Sequence, residues 1–259
     1  MQEIKLNDSV TIKCYTDADE MPLNRYMAFQ KYLLMDSGVG CDMRAVSEHF
    51  QRFHQYLAGG MYAEAGKEAE NLHFNMFSIL ERINFQALAF GCRVYAINDE
   101  ILTDYSEDAL LILSERFNEM GLTQGVVKES NDDSKKKIFE ALKRYYPEFF
   151  PDDVQTEVFV RICRRLELVA LLIEEEGDEA QINAEIEEID AYILGLDKPQ
   201  SFAPEDPENA SLKMDLSYMN LVSMMEGNGI HNAAMLPVLS FYARLSYLKK
   251  QTAPAATHK

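Results

Sequence analysis

The sequence predicts a mainly α protein, a multi-helix bundle of about nine helices with a short N-terminal β-hairpin. From Pro22 almost to the end, apolar side chains recur at intervals of three and four, which is the period of an amphipathic helix. Gly or Pro interrupts this pattern after every stretch of roughly 15–25 residues, so a bundle is favoured over one long coiled coil. Residues 1–16 alternate apolar and polar side chains instead, as strands do.

The N-terminal hairpin is predicted from alternation on both sides of a turn at residues 7–9. The alternating apolar side chains are Ile4, Leu6, Val10, Ile12 and Cys14. An isolated hairpin is marginal in water, so we expect it to pack on helices or to pair with a partner's strand.

Residues that start or end helices set the bounds of the predicted helices. Pro22 suits a first helical position, Gly38 a C-cap and Asp42 an N-cap. The predicted helices extend over about 22–38, 42–57, 62–83, 106–120, 135–146, 151–173, 178–196, 211–225 and 236–250. Residues 85–95 are predicted as a short buried helix or apolar segment, and residues 121–134 as a loop.

Three predicted helices carry apolar stripes that we expect to face the core. The stripe of helix 62–83 consists of Ala65, Ala69, Leu72, Met76, Ile79 and Leu80. Helix 151–173 has the strongest amphipathic pattern, formed by Val154, Val158, Phe159, Ile162, Leu166, Val169 and Ile173. The stripe of helix 178–196 consists of Ile182, Ile186, Ile189 and Ile193.

Residues 197–210 (DKPQSFAPEDPENA) hold three prolines and are predicted as a linker. The sequence therefore divides into residues 1–196, an N-terminal hairpin plus helical domain, and residues 211–259, a C-terminal helical hairpin. The final residues, TAPAATHK, are predicted to be a disordered tail.

Charge limits the classes of partner. The 25 Lys and Arg against 43 Asp and Glu give a formal net charge of −18. Binding to nucleic acid or to anionic lipid needs basic residues, so we expect neither a nucleic acid nor a membrane as partner. The longest apolar run, residues 168–173, is far shorter than the ~20 residues of a membrane span. Other proteins are the expected partners, and a homo-oligomer is left open.

The cysteines and the N-terminus point to a reducing compartment. Cys14, Cys41, Cys92 and Cys163 include no CxxC pair, which favours buried free thiols over disulfides or a zinc site. The first residues lack the basic and then apolar layout of a signal peptide. We therefore expect a soluble protein made in a cytoplasm.

Motifs of the common enzyme classes are missing from the sequence. It has no GxSxG, no GxxxxGK[ST] and no HD dipeptide. Glu70 and His73 form a single ExxH, whereas a di-iron bundle needs two such pairs and two further Glu. We interpret this pair as a surface pair, and His49 and His54 as surface or boundary residues. The sequence thus predicts no enzyme, with no catalytic, cofactor-binding or metal-binding residues and no cofactor.

Two segments are candidate partner-binding surfaces. Residues 174–190 hold nine carboxylates and no basic residue, so they form either a solvated face or a docking surface, for which we select Glu185, Glu187 and Glu188. Basic residues, including Arg164 and Arg165, are predicted to pair with this acidic helix rather than to bind nucleic acid. The last helix has more apolar circumference than one stripe needs, and either binds a partner helix or docks within the chain. Its candidate partner-binding residues are Leu236, Leu239, Phe241, Tyr242, Leu245 and Leu248.

Two stretches carry a family resemblance. Residues 20–42 (EMPLNRYMAFQKYLLMDSGVGCD) and 235–251 (MLPVLSFYARLSYLKKQ) resemble helical proteins of crAss-like tailed bacteriophages. The second stretch is also similar to the closing helix of phage tail-assembly chaperones. The resemblance implies a virion component or assembly factor rather than an enzyme, located in the host cytoplasm during assembly or in the virion, with other phage structural proteins as partners.

Three hypotheses follow from these observations. The first is a non-enzymatic phage protein, either a structural component or an assembly chaperone, that binds other phage proteins in virion or tail assembly. The second is an acidic inhibitor or regulator that mimics nucleic acid and binds a host protein. The third is a metal-dependent helical enzyme built around Glu70 and His73.

Overall fold

The computed structural model describes residues 1–7, 10–150, 153–174, 178–196 and 198–252. In this part the chain forms ten α-helices and a four-stranded antiparallel sheet, which confirms the mainly α class with an N-terminal hairpin. The helices are α1 (Leu23–Gly38), α2 (Met43–Ala58), α3 (Tyr62–Leu80), α4 (Phe85–Arg93), α5 (Glu107–Glu119), α6 (Gln124–Tyr145), α7 (Asp153–Ile173), α8 (Glu179–Leu196), α9 (Ala210–Gly227) and α10 (Val238–Thr252). The strands, in their order across the sheet, are β1 (Gln2–Asn7), β2 (Val10–Cys14), β3 (Val94–Ile97) and β4 (Glu100–Ile101).

Several predicted features lie partly outside the described residues. They are the hairpin turn at Asp8 and Ser9, the start of helix 151–173, residues 175–177 of the acidic segment, the first linker residue 197 and the tail beyond residue 252. Within the described ranges, no helix is both long enough and apolar enough to cross a membrane.

The predicted hairpin is half of a larger sheet. β1 pairs with β2 so that Ile4 lies opposite Ile12, and β2 pairs with β3 so that Ile12 lies opposite Ile97. β3 follows directly after α4, so residues 85–95 form a helix that continues into a strand. Ile12 and Cys14 are fully buried, which gives the hairpin the packing partners that an isolated hairpin lacks.

α4 lies at the centre of the main hydrophobic core. All its residues except Gln86 are buried, and it packs against α1, α5 and α6. The Phe90 ring meets the Phe117 ring of α5 edge to face, with 5.2 Å between the ring centroids. Burial of each such large apolar side chain stabilises the fold by roughly 1.5–3 kcal/mol.

The predicted loop over residues 121–134 is wrong, because α6 already begins at Gln124. The Thr123 side chain accepts a hydrogen bond from the Val126 amide and caps the helix. The first half of α6 buries small polar residues, among them Ser130, Asn131 and Ser134, instead of an apolar stripe. Apolar periodicity therefore gives no signal over this part of the helix.

α3 also buries a polar face, so its predicted apolar stripe is largely wrong. The buried residues of α3 are Ala65, Glu68, Asn71, Asn75 and Ser78. Met76 and Leu80, which were expected inside, are exposed. Buried polar groups need hydrogen-bond partners. Hydrogen bonds within the chain supply such partners and stabilise the orientation in which α3 buries its polar face.

α7 and α8 form a helical hairpin with a small core of its own. Leu168, Ile182 and Ile189 are its buried residues, and Ile186 and Ile193 pack against them, as predicted for α8. On α7 the prediction is wrong for Ile162, Leu166 and Ile173, which are 40%, 62% and 77% exposed. The cause is that α7 is apolar on two opposite faces and only one of them meets α8. Val169 is half-buried, and the predicted side chains of Val154, Val158 and Phe159 lie outside the described ones.

The last two helices belong to the same core as α1 and α4. The Leu23 amide donates to the Leu236 carbonyl at 2.8 Å, and the Val238 amide donates to the Met21 carbonyl at 3.0 Å. Phe202, between α8 and α9, is buried against Gly38, where an added Cβ would lie only 2.2 Å from its ring. The segment 198–209 thus runs along the core, while the division of the chain into separate units at residues 197–210 stays a prediction.

Arg93, the last residue of α4, holds three elements together. Its guanidinium is fully buried and donates to the Tyr15 carbonyl at 3.1 Å, to the Ser130 carbonyl at 2.7 Å and to Asn131 Oδ1 at 2.9 Å. Burial lowers the pKa of Arg93 to about 10. These hydrogen bonds connect the end of β2, the α4–β3 junction and the middle of α6.

We predict that Arg93→Leu lowers the free energy of unfolding by about 2–4 kcal/mol, because it leaves several buried acceptors without a donor. Urea unfolding followed by circular dichroism measures this change. The matched control is Arg44→Leu, at an exposed arginine on α2, which should stay within about 0.5 kcal/mol of the wild type. Equal stability of the two variants would contradict the role assigned to Arg93.

Candidate functional site

An apolar groove lies between α9, α10 and the short 3-10 turn Pro147–Phe149. Its volume is about 620 Å³, within the range of roughly 300–1,000 Å³ that is typical of ligand pockets. The lining side chains are mostly aliphatic or aromatic: Phe149, Phe150, Leu221, Met224, Asn228, Tyr242, Leu245, Leu248 and Lys249. Such a lining suits the apolar face of a partner rather than a charged ligand.

Aromatic contacts with Tyr242 of α10 hold the 3-10 turn in place. The Tyr242 ring centroid lies 5.7 Å from that of Phe149 and 5.9 Å from that of Phe150. Ser246 donates to Glu148 Oε1 at 2.7 Å and fastens the turn at a second point. Burial raises the pKa of Tyr242, so this phenol stays neutral. The groove is therefore formed before any partner binds.

The six apolar residues selected on the last helix fall into two sets. Three of them line the groove: Tyr242, Leu245 and Leu248. The other three, Leu236, Leu239 and Phe241, do not line the groove, and all six pack against the main core. The structure thus contains the intramolecular docking that the sequence left as one alternative, and partner binding by the first set stays a prediction.

Four apolar residues of the groove are not among the partner-binding residues selected from the sequence. They are Phe149, Phe150, Leu221 and Met224. Two signals could have found some of them: an aromatic pair between Pro147 and Pro151, and several methionines around the α9–α10 connection. Methionine adapts to irregular apolar surfaces, which makes Met224 informative.

The acidic helix α8 is partly neutralised by α7. Arg164 donates to both carboxylate oxygens of Glu185, at 2.7 and 3.1 Å, which lowers the pKa of Glu185. Arg165 binds Asp190 in the same bidentate way, so the predicted pairing of these arginines with the acidic helix is confirmed. Glu187 and Glu188 are exposed. Of the three selected carboxylates, Glu185 is already committed to a partner within the chain.

A buried polar cluster fastens α2 to α3. His49, predicted at the surface or boundary, is only 1% exposed, and this prediction is corrected. Its Nδ1 lies 2.6 Å from Glu68 Oε2, and its Nε2 lies 2.8 Å from the Val39 carbonyl oxygen. Arg52 donates to the other Glu68 oxygen at 2.9 Å. A buried carboxylate needs such partners, since an unpaired buried charge costs several kcal/mol.

The geometry offers little to metal-dependent or thiol chemistry. Glu70 and His73 are exposed, and the described part of the chain has no group of three or more His, Cys, Asp or Glu able to hold a metal ion. Cys14 and Cys92 are buried as predicted, and burial raises the pKa of each thiol to about 12. Cys41 and Cys163, also predicted to be buried, are only half-buried, and burial raises the pKa of Cys41 to about 11. The thiols of Cys14, Cys41 and Cys92 are protonated at neutral pH and therefore poor nucleophiles.

We predict that His49→Leu costs about 3 kcal/mol of stability, because Glu68 keeps its buried charge but loses one of its two partners. The control is His54→Leu, at an exposed histidine of the same helix, with an expected change of at most about 0.5 kcal/mol. Thermal unfolding of the two variants side by side checks the difference. Similar melting temperatures would show that the cluster does not fasten α2 to α3.

No protein-family model matches this chain. No curated protein and no solved structure is significantly similar to it. What the groove can bind follows from its own residues: aromatic walls, exposed aliphatic side chains and one lysine, Lys249, at its edge.

Proposed function

We propose that this protein is a non-enzymatic binding protein whose groove between α9 and α10 holds the apolar face of another protein. The proposal rests on one observation: a preformed concave surface whose large apolar side chains are partly exposed to solvent. Leu221 and Met224 are 36% and 41% exposed, and they share the groove with the half-buried Leu245 and Leu248. Covering apolar surface is favourable by roughly 25 cal/mol per Å².

An amphipathic helix is the partner that fits best. Grooves between two helices accept side chains that recur every three to four residues on one face of a third helix. Three or four such anchors, at roughly 1.5–3 kcal/mol each, reach the scale of the ~8 kcal/mol that a micromolar complex requires. Lys249, held 4.8 Å above the Phe149 ring, would favour a carboxylate on the partner beside the groove.

The family resemblance of residues 20–42 and 235–251 supports a specific setting for this proposal. There the partner is another phage structural protein, met during virion or tail assembly in the host cytoplasm. The nucleic-acid mimic is less well supported, because Arg164 and Arg165 already occupy Glu185 and Asp190.

The test is affinity purification of the tagged full-length chain, expressed together with the proteins encoded by neighbouring genes. Met224→Glu places a charge in the groove and should abolish recovery of the partner, since a carboxylate is costly to bury without a counter-ion. Leu212→Glu is the matched control: the same helix and a similar exposure of 44%, but outside the groove lining. It should leave recovery unchanged. Circular dichroism confirms that both variants are folded.

Three outcomes would contradict the proposal. Recovery that survives Met224→Glu would exclude the groove as the binding surface. Recovery lost equally in both variants would point to the outer face of α9. Displacement of the captured protein by DNA at low salt would favour the acidic mimic, since only a mimic competes with nucleic acid.

A further inference from the structure

A second, polar cleft lies on the molecule apart from the groove. Its volume is about 360 Å³, and the ends of α1, α3, α4, α5 and α6 meet around it. Two carboxylates and two cations line it: Asp36, Asp42, Arg82 and Lys128. Amide side chains line it as well: Asn84, Gln86, Asn118 and Gln124. This composition suits a small ligand that carries both charges and polar atoms.

A chain of hydrogen bonds positions the carboxylate of Asp36. The buried Arg93 donates to Asn131 Oδ1 at 2.9 Å, and Asn131 Nδ2 donates to Gln86 Oε1 at 2.9 Å. Gln86 Nε2 then donates to Asp36 Oδ2 at 2.6 Å. Each donor in this series of hydrogen bonds points toward the Asp36 carboxylate. The series therefore fixes the orientation of the carboxylate and favours its ionised form. Only Oδ2 is used, and Oδ1 has no hydrogen-bond partner among the described residues.

The cationic side chains of the cleft have no ion pair within 4 Å among the described residues, and the Lys128 charge acts on Asp36 within the cleft. Neither Arg82 nor Lys128 has an ion pair with any carboxylate of the described ranges. Arg82 has a left-handed backbone with φ of 56°, and the Ile83 amide donates to the Ser78 carbonyl at 2.9 Å where α3 ends. The end of α3 thus places a guanidinium at the cleft.

We propose that this cleft binds a free α-amino acid, whose ammonium group pairs with Asp36 and whose carboxylate pairs with Arg82 and Lys128. The amide side chains around the cleft favour a ligand with a polar side chain. The volume fits, because 360 Å³ is near the lower limit of small-molecule pockets, roughly 300 Å³. The site is separate from the groove, so it does not depend on the proposed function.

The ammonium group of the ligand would stabilise the ionised form of Asp36, which burial disfavours. Burial, with smaller contributions from the nearby Asp42 and Asp132, raises the pKa of Asp36, and the Gln86 hydrogen bond and the Lys128 charge oppose this shift only in part. Asp36→Asn keeps an oxygen that can accept from Gln86 but removes the charge. This variant should therefore be at least as stable as the wild type at neutral pH, and it separates loss of binding from loss of folding.

Isothermal titration calorimetry of the full chain with L-glutamine tests the site. We expect binding to weaken about tenfold or more in Asp36→Asn and severalfold in Arg82→Gln, since each removes one ion pair. Lys137→Gln, at an exposed lysine of α6 outside the cleft, should bind like the wild type. Two blocked ligands probe the charges separately: N-acetyl-L-glutamine lacks the ammonium, and L-glutamine amide lacks the carboxylate. Both should bind about tenfold more weakly or worse.

Four results would overturn the proposal. They are no binding of L-glutamine by the wild type at millimolar concentration, equal binding by Asp36→Asn, equal binding of N-acetyl-L-glutamine, and displacement by sulfate alone. The last result would identify a simple anion site at Arg82 and Lys128. None of these outcomes bears on the groove, because Met224 and Leu212 are not altered.

Discussion

The fold depends on a buried guanidinium that is neutralised by no carboxylate within 4 Å in the described residues. Arg93 sits where α4 becomes β3, and its donors reach a carbonyl beyond β2 and two residues of α6. Arginine is suited to this place, because its planar group presents several donors in fixed directions. Carbonyl and amide oxygens surround the charge with dipoles instead of a counter-charge. These hydrogen bonds therefore help to fix the orientation of the sheet, the central helix and α6 relative to one another.

Buried polar side chains have the same role elsewhere in the molecule. On α3, Glu68 holds α2 through His49 and Arg52, while Asn71 holds the segment after α8 by bonding to the Gln200 carbonyl and the Phe202 amide. Such groups add little net stability, because each hydrogen bond replaces one to water. Their effect is geometric: they allow one rotation of a helix and penalise the others.

This use of polar residues decides what the sequence could predict. The hairpin, α1, the bounds of α2 and the isoleucine stripe of α8 follow from apolar periodicity and capping residues, and they agree with the structure. The apolar stripe expected on α2 does not, because Phe50 and Leu57 are exposed while His49 and Tyr56 are buried. The first half of α6 and the buried face of α3 do not, because a buried serine or asparagine looks like a solvated one until its partner is known. The apolar excess of α10 predicted one wall of the groove, formed by Tyr242, Leu245 and Leu248. Its other wall comes from Phe149 and Phe150, far away in the chain.

The junction between Pro22 and Pro237 has a kinetic consequence. These residues form an antiparallel bridge, and hydrogen bonds between residues 18–23 and 236–239 continue it on both sides. Contacts between such distant parts of a chain close slowly, because a large loop entropy is lost before they form. During synthesis the ribosome must release α10 before the N-terminal segment has its partner. Until then the part of α1 that packs against α9 and α10 remains open to chaperones or to neighbouring chains.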